Sequence, residues 1–389
     1  MEPAVPDISG RARSTFSHLP PMLFLEAVTM NHIPHGKLSF SAPGITRLAV
    51  LLIALAAAVF LSSCSPKEVQ KEETREKNAG TVSSIAVFVP GVVAGSPTYE
   101  MMVEGVEAAV REKSGVEVSI VEGGFNQGEW LTKVSALAAS GRYDLIVTSN
   151  PAMPEICAEV SRSYPEARFL VLDGHIEGNP SIFTFRFNQK EQGYLAGYFA
   201  GLVAREKQPE GMVKVGLVAG QEYPEMLRSI RPGYQQGAKK AAGSAELDFR
   251  VVGNWYDAGK GSELAKDMFR SGVDVVLAIA GGANQGVVSA AREADKGVIW
   301  FDSSGYDIAP GTVIGSTRIY LDRAARETTL KAIEGELPFG TAESVGIAEG
   351  YITFITDHPA YAEHLSPELR DELETHLGNL RTGAVKIQE

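Results

Sequence analysis

The residues of this 389-residue chain that could recognise a small molecule lie in short loops, each directly behind an apolar, β-branched run. Pro90 to Tyr99, "PGVVAGSPTY", follows "IAVFV", and Ser149-Asn150-Pro151 follows "YDLIVT". "GNWYDAGKG" sets Asn254, Trp255, Tyr256 and Asp257 behind "LDFRVV", "AGGANQG" sets Gly281, Gly282, Asn284 and Gln285 behind "DVVLAI", and Asp302 closes "GVIWFD". Tyr99, Trp255 and Tyr256 offer flat faces for a planar ring. Asn150 offers both a donor and an acceptor to a heterocycle edge. Gly281 and Gly282 let the backbone approach a ligand closely, and the Asp302 carboxylate can accept from hydroxyl or ring N–H groups. Each has a plainer reading too: Tyr99 or Trp255 as core packing, Asn150 as a local turn, Asp302 as a helix cap.

Bond-making chemistry has little support. The chain contains no GxSxG, HExxH, GxxxxGK[ST] or CxxC pattern. His175 follows a strand in "DGHIEGNP", two residues after Asp173, yet no nucleophile accompanies it. The expectation is a binding protein, not an enzyme, with no cofactor and no metal. Of the two cysteines, Cys157 in "PEICAEVSRSYP" has no partner for a disulfide and reads as a buried small apolar residue. With 48 acidic against 36 basic residues and a net charge of −12, the chain lacks the footprint of a nucleic-acid binder.

The other cysteine, Cys64, ends an apolar run. Leu48 to Leu61 is too short for a bilayer, which needs about 20 residues, and it lies between Lys37 and Arg47 on one side and Ser62-Ser63-Cys64 on the other. That order of charge, apolar run and small residues is the order of an export signal. Leu61-Ser62-Ser63-Cys64 also resembles a bacterial lipobox, which implies a cut before Cys64, acylation of its thiol and new N-terminus, palmitate among the acyl groups, and a lipid anchor outside the cytoplasm. Residues 1–63 are expected to be removed, with Met30 the expected true start. Residues 64–84, polar and charged, are expected to form a flexible tether.

From Ile85 short apolar strands alternate with amphipathic helices: "IAVFV", "EMMVEGVEAAVREK", "VEVSIV", "EWLTKVSALAAS", "YDLIVT", "PEICAEVSRSY", "RFLVLD". After "SIFTFRF" the cycle repeats through "VKVGLV", "LDFRVV", "DVVLAIA" and "GVIWFD". Apolar strands separated by helices predict parallel sheets covered on both faces. Two α/β lobes are therefore expected: 85–185 plus about 317–345, and 186–316 plus about 346–389. Ligands of such sheets bind beyond the C-terminal strand ends, which places the loops above in a cleft between lobes. Crossover strands near Arg186, Ser316 and Gly346 would serve as hinges.

The chain resembles the basic membrane protein family of ABC-importer substrate-binding lipoproteins. The resemblance rests on "YDLIVTSNPAMPEICAEVSRSYPEARFLVLDG", "KEQGYLAGYFAGLVA", "VKVGLVAGQEYPEML", "GNWYDAGKGSELAKDMFRSGVDVVLAIAGGANQGVVSAARE" and "VIWFDSS" in family order. It implies a two-lobed type I periplasmic binding protein fold, a monomer, a permease and an ATPase as partners, and capture of a small molecule without chemical change. It puts the family's aromatic stacker on Trp255 or Tyr256, its close-approach glycine on Gly281 or Gly282, and its later acidic ligand on Asp302. The family's acid after the first strand is replaced around Pro90, its "D-K-S-F-N" run becomes "SPTYE" with Tyr99 near the Phe-Asn pair, and its lysine is matched by Ile319, with Arg318 as the substitute. These changes predict a larger, flatter and more neutral slot. The ligand expected on that basis is riboflavin, its ring between Tyr99 and Trp255, Asn150 at the pyrimidine-like edge and Asp302 near the ribityl chain, as in riboflavin-binding members. The alternatives are a purine nucleoside, or a sensor that reports occupancy to a membrane signalling protein.

Overall fold

The computed structural model describes residues 82–388. Cys64, the apolar run and the tether up to residue 81 lie outside the described residues. Strand β1 (Ser84–Val89) is buried at every position, so both of its faces are covered by helices. It opens at Ser84, the last residue of the expected tether, because the Asp144 carboxylate accepts hydrogen bonds from the backbone and hydroxyl of both Ser83 and Ser84. The chain continues through α1 (Pro97–Glu112), β2 (Glu117–Glu122), α2 (Trp130–Ala139), β3 (Leu145–Ser149), α3 (Met153–Ser163), β4 (Phe169–Leu172) and β5 (Ile182–Phe187). These strands, with β11 (Ala342–Val345), form one sheet in the order β11-β5-β4-β3-β1-β2, parallel throughout.

The second sheet repeats the scheme. Helix α4 (Gln189–Lys207) leads into β6 (Val213–Ala219), α5 (Arg231–Ala242), β7 (Ala245–Val251), α6 (Ala258–Arg270), β8 (Val275–Ile279), α7 (Asn284–Ala294), β9 (Gly297–Trp300) and β10 (Val313–Ile319). With β12 (Ile352–Phe354) the order is β12-β10-β9-β8-β6-β7, parallel except for the antiparallel β12. The fold is thus the α/β, two-lobed one expected from the alternation of strands and helices.

Helix α8 (Leu321–Ile333) lies on α1, where a Cβ on Gly105 would overlap the Asp322 carbonyl and the Ala325 side chain. Since β10 runs to Ile319, the chain leaves the second sheet for the first at Tyr320–Leu321. Helix α9 (Pro367–Arg381) returns to α4: the His376 ring stacks on Tyr198 at 3.9 Å, Tyr194 Oη meets His376 Nε2 at 3.0 Å, and Arg205 pairs with Glu372. Burial first, and then Lys240, lower the His376 pKa. Helices α4 and α5 approach at backbone distance, since Gly193, Gly197 and Gly201 of α4 each face a carbonyl of the Ile230–Ala238 segment where any Cβ would clash. Cys157 is fully buried among apolar residues, with a thiol pKa raised by desolvation, as the sequence suggested.

A candidate ligand cleft at the strand ends

The two sheets end alike. In the first, Gly91 follows β1, its carbonyl accepts from Gly124 N at 2.9 Å, and the ring of Tyr99 covers it so closely that a Cβ would lie 3.0 Å from Tyr99 Cε2. In the second, Gly220 follows β6, its carbonyl accepts from Gly253 N at 2.9 Å, and the Trp255 indole covers it. An added Cβ there would lie 2.5 Å from the indole Cε3. Each lobe therefore lays an aromatic face across a bare glycine at the end of its first strand. Phe125, 79 % exposed, stands beside Gly91, and Tyr223 meets Trp255 at 5.9 Å and 47° between rings.

The fourth strands add a second repeated feature. Asp173 follows β4 and Asp302 follows β9, and both hold left-handed backbone angles, φ 57° and 70°. Among the described residues only one other non-glycine residue, Asp295, does so. Aspartate tolerates this region better than most residues, but holding it there still costs free energy that the surroundings must supply. The Asp302 Oδ1 accepts from Gln192 Nε2 at 3.0 Å, and that amide also donates to Thr317 Oγ1 at 3.1 Å. The Asp173 Oδ1 accepts from Gln189 Nε2 at 3.0 Å.

Both acids are only half-buried by surface, yet protein surrounds them, as at the floor of a cleft. Burial first, and then the facing Asp302 carboxylate, push the Asp173 carboxyl up to about 7, against the Gln189 hydrogen bond. Burial pushes Asp302 up to about 6, against the Gln192 hydrogen bond. Tyr223 is raised by burial and by the charges of Asp302, Asp173 and Glu225, and Tyr99 by burial with a smaller contribution from Asp173. Asp173 and Tyr99 of the first lobe thus lie within electrostatic reach of Tyr223, Glu225 and Asp302 of the second or of one another, with Asn150 hydrogen-bonded to Tyr99, and together they outline a candidate site.

Several of the residues singled out in the sequence have partners within the protein. The slot carries more charged groups than expected, since Asp302 and Glu225 both raise the Asp173 carboxyl and Arg186 opposes them. Asp257 is the N-cap of α6, its Oδ1 accepting from Lys260 N at 2.9 Å. Gly281, at φ 58°, and Gly282 make room for protein: a Cβ on Gly281 would lie 2.9 Å from the Trp255 carbonyl, and one on Gly282 3.4 Å from it. Arg318 is paired with Asp322 at 3.0 Å and lies over the Tyr320 ring at 4.5 Å. Asn150 makes the local turn, Oδ1 accepting from Ala152 N at 2.9 Å, while its Nδ2 donates to Tyr99 Oη at 3.4 Å. The Tyr99 hydroxyl itself donates to the Pro90 carbonyl at 3.0 Å. Trp255 is 40 % exposed and Tyr256 80 % exposed, in a loop fastened by Asn254 Oδ1 accepting from the backbone N–H groups of Tyr256 and Asp257.

The sequence alone pointed to Asp173 only as a neighbour of His175, and it did not single out Gln189, Gln192, Tyr223 or Phe125. Asp173 was legible in principle, since "FLVLD" and "VIWFD" end on the same residue in the two halves. Paired α/β sheets with acids and aromatics converging at their carboxyl ends define a solute-binding protein of the periplasmic type.

Residues 82–381 match the family of PnrA-like ABC transporter substrate-binding proteins, and the chain belongs to that family. The chain is similar to the ABC transporter nucleoside-binding protein BmpA of Lactococcus lactis, 24 % identical over 80 % of this chain and 91 % of the relative. It is also similar to basic membrane protein D of Borreliella burgdorferi, 27 % identical over 75 % and 82 %, and to the CD4+ T-cell-stimulating antigen of Listeria monocytogenes, 24 % identical over 88 % and 98 %. In fold it is similar to an ABC transporter solute-binding protein of Aeropyrum pernix, with TM-score 0.67 and 22 % identity over 79 % of this chain and 93 % of that one. This family and fold are those of solute-binding proteins, whose work is to bind a small molecule for a permease. Among the described residues no helix is long and apolar enough to cross a membrane.

Proposed function

We propose that this protein captures a purine nucleoside outside the cytoplasm and hands it, unchanged, to an ABC permease and its ATPase. The supporting observation is the pair of aspartates, one from each lobe and close enough for Asp302 to raise Asp173, together with the aromatic faces laid over Gly91 and Gly220 at the same strand ends. Carboxylates accept hydrogen bonds and therefore call for a ligand rich in donors. A guanine edge offers N1–H and N2–H side by side, matching the two oxygens of one carboxylate, and ribose hydroxyls supply donors for the other. An isoalloxazine offers one N–H between two carbonyl oxygens, which a carboxylate repels. The Lactococcus lactis relative, described as nucleoside-binding, supports the same ligand class. Acylation at Cys64 would hold the protein at the membrane surface.

The test is mass spectrometry of whatever small molecule leaves the purified protein on denaturation. A purine nucleoside is expected. A flavin mass would restore the riboflavin reading, and a molecule altered during incubation would overturn capture without chemistry.

A further inference from the structure

The first turn of α4 stands at the crossing between the lobes. Asn188 N donates to the Val345 carbonyl at 2.8 Å, and the Asn188 and Glu191 side chains cap each other, Nδ2 to Oε1 at 2.9 Å and Glu191 N to Oδ1 at 3.4 Å. Glu191 Oε2 accepts from Ile347 N at 2.7 Å, in the crossover between β11 and β12, and a Cβ on Gly346 would overlap that carboxylate. One turn therefore holds the crossing after β5 and the crossing after β11.

The same turn carries Gln189 and Gln192, three residues apart and so neighbours on one helix face. Gln189 holds Asp173 of the first lobe, and Gln192 holds Asp302 and Thr317 of the second. Gln192 is fully buried, at 0 % exposure, and its amide oxygen has no partner; neither has that of Gln189. A buried amide oxygen without a donor is costly, and its retention here fits a fixed orientation in which the N–H side is committed to an acid. We infer that Gln189 and Gln192 are positioning residues that tie the ligand-binding acids of opposite lobes to the hinge, so that the set of the hinge and the ionisation of the acids are coupled through one helical turn. The inference rests on the reading of the cleft as the ligand site.

Amide N–H groups stabilise the ionised carboxylate, and both acids are held down in pKa by these bonds against burial. The other groups in the field are Arg186 at the end of β5, Glu225 and Tyr223 in the loop after β6, and Tyr99 at the start of α1. Removing an amide donor leaves each acid protonated to a higher pH.

The experiment compares the full chain, purified in detergent, with Gln189→Leu and Gln192→Leu, by calorimetric titration with guanosine from pH 5.5 to 8.5 and by thermal melts without ligand over the same range. Each variant is expected to move the midpoint of the pH profile upward by about one pH unit, and so to lose up to about ten-fold in guanosine affinity at the acid end of the range, with the loss shrinking toward pH 8.5. Affinity that is unchanged, or reduced equally at every pH, would overturn the inference. Gln189 is half-buried, so Gln189→Leu carries the test alone should Gln192→Leu fail to fold. If guanosine gives no heat with the unmodified chain, the nucleoside reading fails, and the ligand-free melts decide the inference. An upward displacement of the pH dependence of Tm in Gln189→Leu supports it, and an unmoved profile overturns it.

Discussion

Substituting Asp173→Asn isolates the free energy stored in the acid pair. Asparagine keeps the shape and tolerates the left-handed φ of 57° that this position needs. The folded protein holds the Asp173 carboxyl up to about 7, whereas the unfolded chain releases that proton at about 4. The folded state thus binds more protons between those values, so this group's contribution to stability declines as pH rises from about 4 to about 7 and is flat above. At about 1.4 kcal/mol per pH unit the ceiling is about 4 kcal/mol. Water entering the cleft and the shared titration with Asp302 reduce it, so a gain of about 1–3 kcal/mol for Asp173→Asn at pH 8 is expected. In a folded region of this size that raises Tm by about 1.5–5 °C. Thermal melts at pH 8 and pH 5 without ligand are the assay, with the variant more stable at pH 8 and the difference shrinking at pH 5. A variant that is equally or less stable at pH 8, or whose difference ignores pH, would refute the facing-acid account.

Three further outcomes follow from the cleft geometry. Trp255→Ala removes a face worth about 1–3 kcal/mol against a stacked base, so guanosine affinity measured by calorimetry falls by about 5- to 150-fold, with little change in Tm for a side chain 40 % exposed. Asp257→Ala removes the α6 cap and costs about 1 kcal/mol in denaturant unfolding, while leaving affinity unchanged. Arg318→Ala breaks a partly exposed pair with Asp322 worth less than about 1 kcal/mol, and it too leaves affinity unchanged; a large loss of binding would place Arg318 in the site after all.

The fold was legible because the inner strands are buried on both faces and so read as unbroken apolar runs, as "IAVFV" and "DVVLAI" do. The strand-end loops were also readable, since Tyr99, Asn150, Trp255 and Asp302 fall where α/β sheets leave room for ligands. Their partners were not. Whether Asp257 faces a ligand or caps a helix depends on where α6 begins, and the backbone that Gly281 approaches belongs to Trp255, which is distant in sequence. The charge of the slot was misread because replacing an acid near Pro90 looked like neutralisation, while Asp173 enters from the fourth strand. Gln189 and Gln192 look like ordinary residues of a first helical turn until the crossing between lobes places one beside each acid.

The most direct measurement is a calorimetric titration of the purified chain with guanosine and, separately, with riboflavin, followed by recovery of the bound compound. Saturable one-to-one binding of guanosine, recovered intact, with no response to riboflavin is the expected result. Quenching of flavin fluorescence with no heat from guanosine would contradict the account.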